Sequence, residues 1–159
     1  MSANAFERWR HDIAGLDRLC FDTETLIYGL ESREPWFGYA KQALGLVQAG
    51  QAVGIISTVV EMEMLVKPMQ DMDDASIDRI EIFLRGTPNL FIRGVDREIA
   101  RMAARIRARV PHRCGPIDSI IAATAALEHC DALITNDDGL ARCMREAGIP
   151  YLYLNDYLA

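Results

Sequence analysis

L-C-F-D-T-E-T-L-I-Y-G-L-E (19–31) is the stretch whose reading decides the fold. Leu19 to Asp22 predicts a short strand, and T-E-T-L-I-Y-G-L behind it predicts a helix ending near Glu31. The same succession recurs twice. V-G-I-I-S (53–57) is a compact β-prone run, followed by a helix from Thr58 to about Val66 that should stop before Pro68. A-L-I-T (132–135) is another, followed by a helix over Asp138–Ala147 with Gly148 as its stop. Strands that pass directly into helices belong to an α/β domain with a mostly parallel sheet covered on both faces.

The remaining segments fit that frame. Phe6, Trp9, Ile13 and Leu16 recur at helical spacing, so residues 4–16 read as an amphipathic helix, expected to dock on its own domain. Pro35 and Trp36 open a helix that Gly50 closes. Residues 68–73 read as a loop. Asp74 to Arg85 places Ile77, Ile80 and Leu84 on one helical face, with Gly86 ending it. Leu90–Arg93 is a strand, and Asp96 is a suitable N-cap for a helix over Arg97–Val110. Pro111–Pro116 is a loop. Ile117–Glu128 is nearly apolar all round and should be well buried, and Tyr151–Leu154 is the last strand. The expected architecture is a three-layer α/β/α domain over residues 19–159, preceded by a helical extension over residues 1–18.

Composition narrows the function classes. The chain has 159 residues, half of them hydrophobic and a quarter charged, which excludes a disordered chain. The length fits one domain. Its net charge of −6 argues against coating nucleic acid by bulk charge, yet leaves room for an enzyme that meets nucleic acid through a metal. No apolar run approaches the ~18 residues of a membrane span, and the first residues carry charges where a signal peptide is apolar. A cytoplasmic location with no membrane partner is expected. Cys20, Cys114, Cys130 and Cys143 form no C-x-x-C pair and read as buried free thiols. His112, Cys114, His129 and Cys130 lack zinc spacing, and His129 and Cys130 would point about 100° apart on a helix.

The acids are the informative polar residues. In open α/β sheets, sites gather at the carboxyl ends of strands. Asp22 ends the first strand and Asp137 follows the strand that ends at Thr135, so both fall on one rim. Asp118 lies in the first turn of its helix. Glu63 sits in the otherwise apolar M-E-M-L-V, where a lone buried acid is costly and a polar cleft explains it better. Converging carboxylates raise one another's pKa, and a hard divalent cation relieves that repulsion. Such a set suits Mg²⁺ or Mn²⁺ and phosphate-ester chemistry. The competing reading makes each acid a helix cap or a solvated side chain.

At this point the chain resembles the PIN-domain nucleases, and specifically the VapC-like toxins. F-D-T-E-T-L-I-Y-G-L-E resembles the family's opening motif, with Asp22 as first acid. I-S-T-V-V-E-M-E-M-L-V-K-P resembles the second, and its register selects Glu63 over Glu61. V-D-R-E-I-A-R-M-A-A-R-I-R-A-R resembles the Arg-bearing helix, G-P-I-D-S-I-I-A-A-T-A the third motif with Asp118, and L-I-T-N-D-D-G-L the fourth. The resemblance implies a metal-dependent endoribonuclease with Asp22, Glu63, Asp118 and Asp137 holding Mg²⁺ or Mn²⁺. It further implies an RNA substrate, an antitoxin that blocks the site, and a homodimer. Glu24 departs from the pattern, because the family usually has Asn or Ser there; the carboxylate adds a ligand, repels RNA, or turns to solvent. Thr135 and Asn136 either orient Asp137 or begin the next helix.

Arg97, Arg101 and Arg105 repeat every four residues opposite the apolar face Ile99, Met102, Ala103, Ile106 and Val110. With Arg113 they form a stripe that holds RNA phosphates or is a solvated helix face. Two other functions compete. One is a haloacid-dehalogenase-like phosphatase with Asp22 as nucleophile and Lys41 or Lys67 as its lysine. The other is a non-catalytic PIN module that binds RNA or protein.

Overall fold

The computed structural model describes residues 3–110 and 114–158. Its elements run α1 (Ala3–Ile13), β1 (Arg18–Phe21), α2 (Thr23–Glu31), α3 (Phe37–Gln48), β2 (Val53–Ser57), α4 (Thr58–Gln70), α5 (Asp74–Gly86), β3 (Leu90–Arg93), α6 (Arg97–Arg109), α7 (Pro116–Leu127), β4 (Ala132–Thr135), α8 (Asp138–Ala147) and β5 (Tyr151–Tyr153). A 3-10 turn over Leu154–Tyr157 follows. The five strands form one sheet in the order β3-β2-β1-β4-β5, and every pairing is parallel.

The central strands are buried because their residues are apolar on both faces: Leu19, Cys20 and Phe21 in β1 and Leu133 and Ile134 in β4 are wholly enclosed. α7 packs on β2 and β4 and carries α6 and α8, while α3 packs on β2 and carries α1. At Gly54 in β2 a Cβ would lie 2.9 Å from Leu90 Cδ1 and 3.0 Å from Val47 Cγ1, so glycine is what lets α3 approach this closely.

The expectation for α1 holds: it docks on its own domain. Trp9 and Ile13 are fully enclosed. The Trp9 ring stands edge-on to Tyr39 and Tyr157, with centroids 5.8 and 5.0 Å away. The Tyr157 hydroxyl donates to Asp12 Oδ2 at 2.8 Å, and the Tyr39 hydroxyl donates to the Tyr157 carbonyl at 2.7 Å. Opposite ends of the chain therefore meet in one aromatic cluster.

Three expectations need correction. α4 does not stop before Pro68; it runs to Gln70 with the proline inside. Pro68 removes one N–H near the helix end, and the flanking bonds survive: Asp71 N–H donates to the Lys67 carbonyl at 3.0 Å and Asp73 N–H to the Pro68 carbonyl at 2.9 Å. Leu154 belongs to the final turn and not to β5. The cysteines are not all free. Cys114 and Cys143 are joined in a disulfide with Cα atoms 5.1 Å apart, because packing of α7 on α8 brings the segment leading into α7 against the middle of α8. Cys20 and Cys130 are free and buried, and the adjacent Cys130 thiol together with burial pushes the Cys20 thiol well above its usual range.

Candidate active site

The strand order places β2 and β3 on one side of β1, and β4 and β5 on the other. The carboxyl ends of β1 and β4 therefore flank the point where the chain changes direction across the sheet, which is where open α/β sheets form their crevice. Asp22 follows β1 directly and caps α2, its Oδ1 accepting the Thr25 N–H at 2.8 Å. Its Oδ2 accepts a short hydrogen bond from the Thr135 hydroxyl at the end of β4. Thr135 Oγ1 also accepts the Asp137 N–H at 3.0 Å, and Asp137 Oδ1 accepts the Leu140 N–H at 2.6 Å as the cap of α8. One hydroxyl thus ties the first acid to the fourth.

Asp118 lies in the first turn of α7 and accepts the Gly115 N–H at 3.3 Å on Oδ2. Glu63 projects from α4, and its Oε2 accepts the Thr23 hydroxyl at 2.5 Å. Asp22, Thr23, Glu24, Glu63, Asp118 and Asp137 line a single cleft of about 190 Å³, with apolar contributions from Ile121 and Leu140. A Cβ at Gly139 would stand 3.0 Å from Asp137 Oδ1 and 3.8 Å from Asp118 Oδ2, so the bare backbone at the start of α8 lets these two carboxylates share a space.

The electrostatics follow from that crowding. Burial pushes Asp22 up from 3.8 to about 6, although the hydrogen bonds from Thr135 and Thr25 pull it back. Asp118 is raised by burial and then by the Asp137 charge, with the Gly115 N–H opposing. Among the described residues no basic side chain lines the cleft. The donors are all oxygen, which suits a hard divalent cation. Among the described residues, no group of three His, Cys, Asp or Glu is drawn tightly enough to enclose an ion. A hard cation in this cleft would therefore keep part of its water shell between itself and the carboxylates.

The four acids named from sequence share this cleft, as does Glu24. Thr135 lies beneath it as the link described above. Asn136 does not line it; its Nδ2 donates to the Tyr28 hydroxyl at 3.1 Å. Glu61 is half-buried and outside the cleft. Arg97, Arg101 and Arg105 are exposed on α6 and none lines the cleft, while Arg113 lies outside the described residues. Neither Lys41 nor Lys67 lines the cleft, so a phosphatase lysine is missing. Sequence reading overlooked Thr23 and Tyr28. The Glu24–Tyr28 spacing of one helical turn was a usable signal. The Thr23–Glu63 bond joins residues 40 positions apart and had none.

Comparisons with known proteins agree with this geometry. The chain superposes on VapBC2 from Rickettsia felis bound to a DNA fragment from their promoter, with a TM-score of 0.68, 17% identity, and coverage of 86% of this chain and 98% of that one. A toxin-antitoxin complex from Klebsiella pneumoniae gives 0.59 at 26% identity, covering 86% and 97%. DNA-bound VapBC from Salmonella typhimurium gives 0.61 at 20% identity, covering 87% and 99%. No curated protein matches the chain. The PIN domain matches residues 19–145, which takes in all the acids of the cleft, and the chain belongs to that family.

Proposed function

We propose that this PIN domain is an endoribonuclease dependent on Mg²⁺ or Mn²⁺, and the toxin of a toxin-antitoxin pair. The observation that carries the reading is one cleft lined by carboxylates and, among the described residues, by no cation of the chain. Asp22, Glu63, Asp118 and Asp137 would hold the ion, directly or through its retained waters. When bound, it supplies neutralisation of the phosphodiester charge and activation of the attacking water. The chain's own part is positional: Thr135 and the α2 amide fix Asp22, Thr23 fixes Glu63, and the α8 amide fixes Asp137.

Arg97, Arg101 and Arg105, with Arg113, would hold RNA phosphates flanking the cut, consistent with the exposure of the first three outside the cleft. The solved neighbours are complexes with antitoxins, which supports an antitoxin here. A groove of Ile27, Leu30, Met64, Pro68 and Ile80 shares Glu63 with the cleft and would take such a segment. A homodimer would cover Met62, Val66 and Met69, which are 48, 45 and 55% exposed along one face of α4. Among the described residues no helix is long and apolar enough to cross a membrane, and we place the protein in the cytoplasm. The family match starts at residue 19, which supports residues 1–18 as an extension and 19–159 as the PIN unit.

The test is cleavage of RNA with Mn²⁺ or Mg²⁺, alongside calorimetric titration of Mn²⁺. Asp118→Asn should abolish cleavage and keep the fold. A wild-type protein that binds no Mn²⁺ is the non-catalytic module instead.

A further inference from the structure

Glu24 is the residue at which the opening motif departs from its family, and the structure provides a holder for it. Tyr28, one turn further along α2, donates its hydroxyl to Glu24 Oε2 at 2.9 Å. The same hydroxyl accepts Asn136 Nδ2 at 3.1 Å. Tyr28 is buried, and its ring stacks on Trp36 with centroids 4.8 Å apart and planes 19° apart. Trp36 is itself anchored, its Nε1 donating to Asn155 Oδ1 at 2.9 Å. The phenol is therefore a fixed point that bridges the corner after β1 and the corner after β4.

A glutamate at an exposed helix position ordinarily keeps its rotamer freedom in water. Here one oxygen is tethered, no hydrogen bond among the described residues uses Oε1, and the side chain lines the same cleft as the four motif acids. A further negative charge in that cleft adds repulsion. Among the described residues no lysine or arginine lines the cleft, and Glu24 takes part in no ion pair. The tether holds the carboxylate at the cleft beside the motif acids, with its second oxygen open to a ligand.

We propose that Glu24 is a further carboxylate for the divalent cation of this cleft, reaching it directly or through one of its retained waters, and that Tyr28 is the positioning residue that aims it. Asn136 acts through Tyr28 and does not touch the ion. The inference builds on the nuclease reading, because it takes the same ion in the same cleft.

Calorimetric titration with Mn²⁺ tests it on the whole chain, with thermal unfolding in chelator as a second readout. Glu24→Gln keeps the size and an acceptor for Tyr28 but removes the charge, and should weaken Mn²⁺ binding about tenfold. Tyr28→Phe removes only the hydroxyl and should weaken it roughly three- to fivefold. The double variant should be no weaker than Glu24→Gln alone, since Tyr28 acts through the carboxylate. A merely structural Tyr28 would lower the unfolding temperature and leave Mn²⁺ affinity intact. Wild-type affinity in Glu24→Gln overturns the ligand assignment. Multiplied losses in the double variant overturn the positioning role. Absence of Mn²⁺ binding by the wild type is a different outcome, and it removes the nuclease reading itself.

Discussion

Replacing Asp22 by asparagine should make the cation-free protein more stable while removing its chemistry. Asp22 is 3% exposed, and burial raises it from 3.8 to about 6. A shift of about two units is worth roughly 3 kcal/mol at 1.36 kcal/mol per unit. Below pH 3.8 both folded and unfolded chains keep the proton, and the full stability is present. As pH rises toward 6 the unfolded chain ionises first, so stability falls through that window and levels off above it. The amide of Asp22→Asn has no such proton to lose and escapes that decline. Its oxygen can still accept the Thr25 N–H, so the cap of α2 survives, and the Thr135 hydroxyl can turn to accept from the new amide nitrogen. At pH 7 in chelator the variant should gain up to about 3 kcal/mol, or about 6–12 °C in Tm for a domain of this size. At pH 4 the gain should vanish. Denaturant unfolding between pH 4 and 8 measures it. Saturating Mn²⁺ should reverse the order, stabilising the wild type by about 2.7 kcal/mol at a hundredfold excess over Kd and leaving the variant unmoved. A variant less stable than the wild type at pH 7 in chelator, or a difference independent of pH, would refute the desolvation argument.

Trp9→Ala should cost about 3–5 kcal/mol in denaturant unfolding, because Trp9 fills the aromatic cluster that joins α1 to the last turn. Reducing the Cys114–Cys143 disulfide opens a 29-residue loop, and chain entropy alone puts the loss near 3.5 kcal/mol, roughly, at this length. Alkylation under denaturing, non-reducing conditions should label two thiols, rising to four after reduction. Substituting Arg97, Arg101 and Arg105 together by Ala should weaken RNA binding and lower its logarithmic salt slope by about 2, with Mn²⁺ affinity unchanged. An unaltered slope would make the stripe a solvated face.

Much of this arrangement is legible in the sequence because its signals are local. Leu19–Asp22, V-G-I-I-S and A-L-I-T are apolar runs too short for helices, and each meets a helix start within three residues. Asp96 announces α6 and indeed accepts the Ile99 N–H at 2.9 Å. Asp22 and Asp137 could be placed on one rim because each follows the carboxyl end of a strand. What was not legible depends on tertiary approach. Pro68 reads as a stop only if its lost hydrogen bond is decisive, and near a helix end it is not. Cys114 and Cys143 meet through the packing of α7 on α8, which spacing does not encode. The fate of Glu24 is set by a hydroxyl that a buried, stacked ring holds still.

Asp22, Asp118 and Asp137 each give one oxygen to a backbone N–H at the start of a helix. These carboxylates are thus pinned to the rigid main chain, with little freedom to swing toward an ion. Pinned donors discriminate by radius. A small ion with oxygens at about 2.0–2.1 Å needs few of them and completes its octahedron with water, whereas Ca²⁺ needs about six to eight at about 2.3–2.6 Å. For an ion bound as proposed, walls that cannot gather around the larger cation would act as a size filter, built from the same hydrogen bonds that begin α2, α7 and α8.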